Sequence, residues 1–139
     1  MSQILVVDDD PFLLEWYSTV LTAAGHSVRT YPGPEEALAA LSQAPVDVVI
    51  TDLMMSEMDS GFTLARQIRS NPELAHIKVI IITAIKGRFG MSFSPRDDEE
   101  LRTLGADAFF EKPVKPEQLI DKIRHLLRPQ ASPTSSEQT

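Results

Sequence analysis

The chain has 139 residues and carries 20 acidic against 13 basic side chains, which gives a formal net charge of −7. This length suits one compact domain, and the absence of cysteine excludes disulfide and thiolate chemistry. The acidic balance disfavours nucleic acid as a direct partner. We find no secretory signal and no run of roughly 18 apolar residues that could span a membrane, so we expect a cytoplasmic protein.

Apolar runs alternate along the chain with segments of helical periodicity, which predicts five strands and five helices. In chain order they are strand Gln3–Val7, helix Pro11–Ala24, strand Ser27–Tyr31, helix Pro34–Gln43, strand Val46–Thr51, helix Gly61–Ser70, strand Lys78–Thr83, helix Asp97–Leu104, strand Asp107–Glu111 and helix Pro116–Leu127. Strands joined by crossover helices form a parallel sheet with helices on both faces. The predicted fold is therefore a doubly wound α/β sandwich of three layers.

Local signals support the first helix and bound the domain. Asp10 is a suitable N-cap, Pro11 occupies the first helical position, and Gly25 follows the end of the helix. We expect residues 1–128 to form the domain. Residues 129–139 are rich in Pro, Ser, Thr and Gln without periodicity, so we expect a disordered tail or the start of a linker there.

Polar residues stand at the carboxyl ends of four predicted strands. Asp8 and Asp9 follow the first strand, Asp52 follows the third, Thr83 ends the fourth, and Lys112 follows the fifth. In an open parallel sheet these ends share one edge, where ligands bind. Clustered carboxylates repel one another unless a cation lies between them, and oxygen ligands favour Mg²⁺. Together with a lysine and a hydroxyl group, this set suits phosphoryl transfer.

The chain lacks the Gly-rich phosphate loop of nucleotide-binding proteins. A carboxylate of the protein itself would then accept the phosphoryl group. The stretches "VVDDD", "ITDLMM", "IITA" and "FFEKPV" closely resemble the CheY-like receiver domains of response regulators in two-component signalling. The resemblance runs from Ile4 to about Leu127. It implies a flavodoxin-like (βα)5 fold whose sheet has the strand order 2-1-3-4-5.

The resemblance also assigns roles around the third strand. Asp52 is implied as the residue that takes a phosphoryl group from the phospho-histidine of a histidine kinase or phosphotransfer protein. Asp8 and Asp9 would organise Mg²⁺ (or Mn²⁺), with Asp9 and Asp52 as direct ligands. The backbone carbonyl of Met54 would be a further ligand.

Thr83 and Lys112 are implied as the residues that contact the phosphoryl group, with Thr83 and Phe109 as switch residues. For Phe109 a plain core position is an equal alternative. The domain would act through an unidentified downstream protein, and a homodimer on phosphorylation is left open. Beyond accepting phosphate from a donor and losing it again, we expect no enzyme activity.

Two other classes of function are alternatives to this one. A haloacid dehalogenase-type phosphohydrolase also uses an aspartate after a strand, and a pseudo-receiver binds partners without phosphorylation. The segment Ile85–Pro95 is longer than the corresponding family loop and combines basic with large apolar residues, which favours a lid or docking element over a plain insert. His26, His76 and His125 are interpreted as surface residues.

Overall fold

The computed structural model describes residues 2–52, 60–83, 105–111 and 114–127. Its strands are β1 (Gln3–Val7), β2 (Ser27–Tyr31), β3 (Val48–Thr51), β4 (Lys78–Thr83) and β5 (Ala108–Glu111). Its helices are α1 (Pro11–Ala23), α2 (Pro34–Leu41), α3 (Ser60–Ser70) and α4 (Pro116–Leu127). Among these described helices, none has the length and apolar character needed to cross a membrane.

The five strands form one parallel sheet in the order β2-β1-β3-β4-β5. This confirms the predicted α/β class and the implied order 2-1-3-4-5. Because every strand runs in the same direction, all carboxyl ends lie along one edge. The central position of β1 and β3 brings the ends that carry aspartates side by side.

Two apolar layers cover the sheet, one on each face, as expected for a doubly wound fold. The α1-side core contains the buried side chains of α1 and α4 with those of one sheet face, namely Ile4, Val6, Tyr17, Leu21, Val48, Ile50, Ile80, Ile82, Ala108, Leu119 and Ile123. The α2-side core contains buried side chains of α2 and α3 with those of the other face, among them Leu5, Val7, Ala37, Val49, Leu64, Ile68 and Ile81.

The ends of α1 follow the local signals in the sequence. The Asp10 side chain caps the helix by accepting the backbone N–H of Phe12 at 2.9 Å, and Pro11 is the first helical residue. Gly25 has φ +97°, and its N–H donates to the carbonyl of Thr22 while that of His26 donates to Leu21. This left-handed ending stops the helix at Ala23, one residue before the predicted end.

β3 and β5 begin later than predicted, because an aspartate side chain bonds to the neighbouring strand at each start. The Asp47 carboxylate accepts the N–H of Gln3, and the Asp107 carboxylate accepts the N–H of Val79, both at 2.8 Å. Each strand starts at the residue that follows its aspartate, β3 at Val48 and β5 at Ala108. Periodicity alone does not distinguish such a side-chain cap from a strand residue.

Other predicted bounds differ by one or two residues or lie outside the described chain. Helix α2 ends at Leu41 rather than Gln43, because Ser42 is its C-cap, and α3 begins at Ser60 rather than Gly61. The predicted helix Asp97–Leu104, the segment Ile85–Pro95 and residues 129–139 lie outside the described residues. The predictions made for them therefore stay predictions.

Candidate functional site

Strand pairing sets Asp8 and Asp52 beside each other at the carboxyl edge of the sheet. Val7 pairs with Thr51 at the end of the β1–β3 ladder, and the two aspartates are the next residues. The N–H of Asp52 donates to the carbonyl of Val7, and the N–H of Asp8 donates to that of Tyr31, both at 3.1 Å. Both residues therefore extend the backbone ladder beyond the strands.

The two carboxylates are almost removed from water, since Asp8 is 1% exposed and Asp52 is 7% exposed. Successive strand residues alternate between the sheet faces. Ile4 and Val6 lie in the α1-side core, so Asp8 continues their face, and Asp52 likewise continues the face of Val48 and Ile50. Two adjacent buried carboxylates on one face form a strongly negative position that favours a cation.

The three successive aspartates after β1 have different surroundings. One carboxylate oxygen of Asp8 accepts the N–H of Asp10 at 2.9 Å, which fixes the orientation of that side chain. Asp9 is exposed, whereas Asp10 caps α1. The buried member of the run is thus Asp8, and the interpretation of Asp10 as a helix cap is confirmed.

The donor set fits a hard divalent cation. Within the described ranges, no three His, Cys, Asp or Glu side chains lie close enough together to hold a metal ion by themselves. Mg²⁺ does not need such a cage, because it keeps several waters and is bound through one or two carboxylates. Asp8 and Asp52 supply that number of buried carboxylates. A main-chain oxygen and waters would complete the coordination.

The remaining predicted site residues are only partly described. Thr83 is the last residue of β4 and pairs with Glu111, so its backbone lies at the same edge as Asp52. The side chain of Thr83, the whole of Lys112 and the Met54 carbonyl lie outside the described part of the chain. Their roles stay predictions.

Phe109 lies on the opposite face of the sheet from the two buried aspartates. It pairs with Ile81 on β4 and packs, partly buried, against the α2-side core. Its neighbours Ala108 and Phe110 belong to the α1 side. This placement agrees with both alternatives left open for Phe109, a core position and a switch.

Tyr17 of α1 is a buried residue whose phenol is affected by the charges of both aspartates. It is 2% exposed within the α1-side core. Burial raises the pKa of its phenol, and the negative charges of Asp8 and then Asp52 raise it further. The phenol is therefore a neutral hydroxyl within the electrostatic reach of both carboxylates. Only the folded sheet brings this side chain of α1 to the face that carries the two aspartates.

The three histidines do not share one environment. His76 and His125 are exposed, as predicted. His26 is half-buried, and its Nδ1 is the one buried side-chain nitrogen or oxygen of the described chain that lacks a hydrogen-bond partner. Its interpretation as a plain surface residue is therefore correct only in part, because its Nδ1 is buried. None of the three lies at the carboxyl edge of the strands.

Comparison with protein families and solved structures agrees with this geometry. Residues 4–124 match the response regulator receiver domain. The heme response regulator HssR of Staphylococcus aureus is 35% identical over 139 residues, which are 100% of this chain and 57% of HssR. The chain thus spans little more than half the length of this curated relative.

Two solved structures illustrate the likeness of the folds. The chemotaxis protein CheY4 of Vibrio cholerae has a TM-score of 0.77 and 28% identity over 91% of this chain and 99% of its own. The response regulator TrrA of Thermotoga maritima, in complex with Mg²⁺-BeF, has a TM-score of 0.73 and 31% identity over 91% of this chain and 100% of its own.

The family match does not favour a haloacid dehalogenase-type phosphohydrolase or a phosphorylation-independent pseudo-receiver. The family match, the strand order and the buried aspartates at the strand ends all support the same family. The chain belongs to the receiver-domain family of two-component response regulators, whose members are phosphoryl-accepting signalling domains.

Proposed function

We propose that Asp52 is the phosphoryl acceptor of this receiver domain. The observation that carries the proposal is the pair of buried carboxylates, Asp8 and Asp52, at neighbouring strand ends of the central sheet. Asp52 follows β3 directly, and the ladder contact to Val7 fixes its backbone. The donor is a phospho-histidine of a histidine kinase or a phosphotransfer protein.

In the transfer, a carboxylate oxygen of Asp52 attacks the phosphorus of the phospho-histidine. A new P–O bond forms, the P–N bond breaks, and the imidazole nitrogen keeps the electron pair of the broken bond. Loss of the phosphoryl group from Asp52 is a second transfer, in which a water oxygen forms a new bond to phosphorus, the bond to the aspartyl oxygen breaks, and inorganic phosphate leaves the free carboxylate. The domain is in this sense a substrate that takes part in its own modification.

Asp8, Asp9 and Asp52, together with the Met54 carbonyl, would hold Mg²⁺ or Mn²⁺. When bound, the ion neutralises negative charge on the carboxylates and on the incoming phosphoryl oxygens. The burial of Asp8 and Asp52 and the Mg²⁺ in the TrrA complex support this assignment. Thr83 and Lys112 would contact the phosphoryl oxygens from β4 and from the end of β5.

The output of the domain is a change in protein contacts. Because the chain spans about half of relatives such as HssR, the activity and partners of any larger protein belong to this proposal as well. A downstream protein or a second copy of the domain would bind the phosphorylated form. The net charge of −7 argues against nucleic acid as the direct partner, and a cytoplasmic location fits a kinase donor.

Intact mass after incubation with acetyl phosphate tests the acceptor. We expect one added phosphoryl group with Mg²⁺, much less with EDTA, and none in Asp52→Asn. Asp121→Asn is the matched control, because Asp121 is an exposed aspartate on α4, and it should label like the parent. Labelling of Asp52→Asn at the parent's rate would contradict the assignment.

A further inference from the structure

Tyr17 places a phenol among fully buried side chains that are otherwise aliphatic. Its buried neighbours in the α1-side core are Val, Ile, Leu and Ala residues of the sheet, α1 and α4. Burying a hydroxyl among such groups costs free energy unless polar groups lie within its reach. Buried tyrosines therefore usually direct the hydroxyl toward a polar neighbour.

Among the residues that the structure describes, the buried polar side chains on this face are the two aspartates. Asp8 and Asp52 extend the rows of Ile4 and Val6 on β1 and of Val48 and Ile50 on β3, and these rows belong to the same core as Tyr17. The charges of both aspartates act on the phenol, together with its burial. Strand alternation thus places both aspartates on the sheet face that Tyr17 covers, and their charges reach its phenol.

We propose that Tyr17 is a positioning residue of the acidic site, whose neutral hydroxyl faces Asp8 and Asp52 from the α1 side and orients their carboxylates for Mg²⁺. Two adjacent carboxylates repel and turn away from each other. A neutral O–H donor stabilises the ionised form and limits this rotation. The cation then meets carboxylates that are already oriented, so less ordering is needed when it binds. This inference rests on the proposed Mg²⁺ site.

A Mg²⁺ titration of three proteins tests the role of the hydroxyl. The chain has a single tryptophan, Trp16, whose ring centre lies 5.2 Å from that of Tyr17 at an interplanar angle of 75°, so its fluorescence reports on this position. We expect Tyr17→Phe to raise the Mg²⁺ dissociation constant about three- to tenfold, because the carboxylates lose a favourable polar neighbour. Thermal unfolding in EDTA checks that the fold is kept.

Tyr31→Phe is the matched control, since it removes the only other phenol of the chain. Tyr31 packs against the α2-side core, on the opposite face of the sheet. Its dissociation constant should stay within about twofold of the parent's. Equal constants for the two phenylalanine variants would overturn the role of Tyr17 and leave the Mg²⁺ site standing. An absence of Mg²⁺ binding in the parent would instead contradict the proposed function.

A spectroscopic measurement keeps the test decisive if Tyr17→Phe fails to fold. In the Tyr31→Phe protein, Tyr17 is the one remaining tyrosine. When tyrosine is labelled with ¹³C at the ζ carbon, this protein gives a single resonance, from the ring carbon that bears the Tyr17 hydroxyl. We expect saturating Mg²⁺ to shift that resonance, because the charge facing the hydroxyl changes. An unshifted resonance in a protein that binds Mg²⁺ would overturn the inference.

Discussion

At the scale of single residues, the aspartates after β1 show how identical side chains acquire different properties. Asp8 is buried and has one oxygen fixed by the N–H of Asp10, so its desolvated charge is held in place. Asp9 is exposed and keeps its hydration. Asp10 satisfies a free N–H at the start of α1. Because Asp10 is used as a helix cap, Asp8 and Asp9 are the members of this run that we propose for the cation.

Asp9→Asn should raise the melting temperature of the protein in EDTA. Asp9 follows the buried Asp8 directly in the chain, and without a cation a further carboxylate adds only repulsion. The gain should be small, on the order of 1 °C, and should shrink in 1 M NaCl, where the screening length falls to about 3 Å. Scanning calorimetry measures it, with Asp121→Asn as the control. A lower melting temperature would show that Asp9 has a structural role.

His26 should make the stability of the protein depend on pH. Burial lowers the pKa of its imidazole, and the positive charges of the chain's amino terminus and of Arg124 act in the same direction. Because the unfolded chain then takes up the proton first, stability should fall as the pH decreases below about 6.5. We expect His26→Gln to lose part of this dependence in urea unfolding between pH 7.5 and 5.5.

His125→Gln is the control for this effect, because His125 is an exposed histidine of α4. A slope that stays unchanged in His26→Gln would contradict the prediction.

At this scale, the distance along the chain between interacting residues decides what the sequence can predict. The cap by Asp10 and the turn at Gly25 depend on residues close in the chain, so they were predictable. The surroundings of Tyr17 and His26 depend on distant segments, so they were not.

At the scale of elements, Arg69 joins the end of α3 to the starts of β4 and β5. Its guanidinium donates to the carbonyls of Ala75 and Ile77, both at 2.9 Å, and to that of Gly105 at 3.1 Å. It also forms an ion pair with Asp107. The Asp107 carboxylate accepts the N–H of Val79 as well, so one cluster fixes the register of β5 on β4.

Arg69→Met should destabilise the protein by about 2 kcal/mol. The substitution keeps the aliphatic stem but leaves three carbonyls and a half-buried carboxylate without this donor. Urea unfolding measures the loss, and hydrogen exchange should show less protection of the Val79 amide. Arg66→Met is the control, because Arg66 is exposed on the same helix, and it should change stability by less than about 0.5 kcal/mol. Equal effects would contradict the role of Arg69 in joining these elements.

Gly105→Ala should be more destabilising than Gly25→Ala. Both glycines have positive φ, +84° and +97°, so each substitution costs about 1–2 kcal/mol of backbone strain. A Cβ at position 105 would also lie 3.2 Å from backbone atoms of Ala65, whereas one at position 25 meets nothing within 4 Å. We therefore expect at least about 1 kcal/mol more for position 105, from thermal unfolding. Equal losses would show that α3 moves aside.

At the scale of the whole molecule, the order of the strands creates the site. Alternating strands and helices predicted a parallel sheet, but periodicity does not determine which strands are neighbours. The order 2-1-3-4-5 came from the resemblance of the motifs, and the structure confirms it. With β1 between β2 and β3, Asp8 contacts the end of β2 through Tyr31, while Asp52 contacts the end of β1 through Val7. These contacts join segments that are far apart in the chain, so they form only when β1 is paired with both β2 and β3.

Mg²⁺ should therefore stabilise the whole domain, since the site exists only when β1 and β3 are paired. A ligand that binds only the folded state adds RT ln(1 + [L]/Kd), which is about 1.4 kcal/mol at ten times Kd. For a domain of this size the melting temperature should rise by roughly 4 °C and return to its starting value with excess EDTA. NaCl of equal ionic strength is the control for screening. Asp52→Asn removes one of the two buried carboxylates, so its rise should be clearly smaller. An equal rise in this variant would mean that Mg²⁺ stabilises the fold from somewhere other than the carboxyl edge of the sheet.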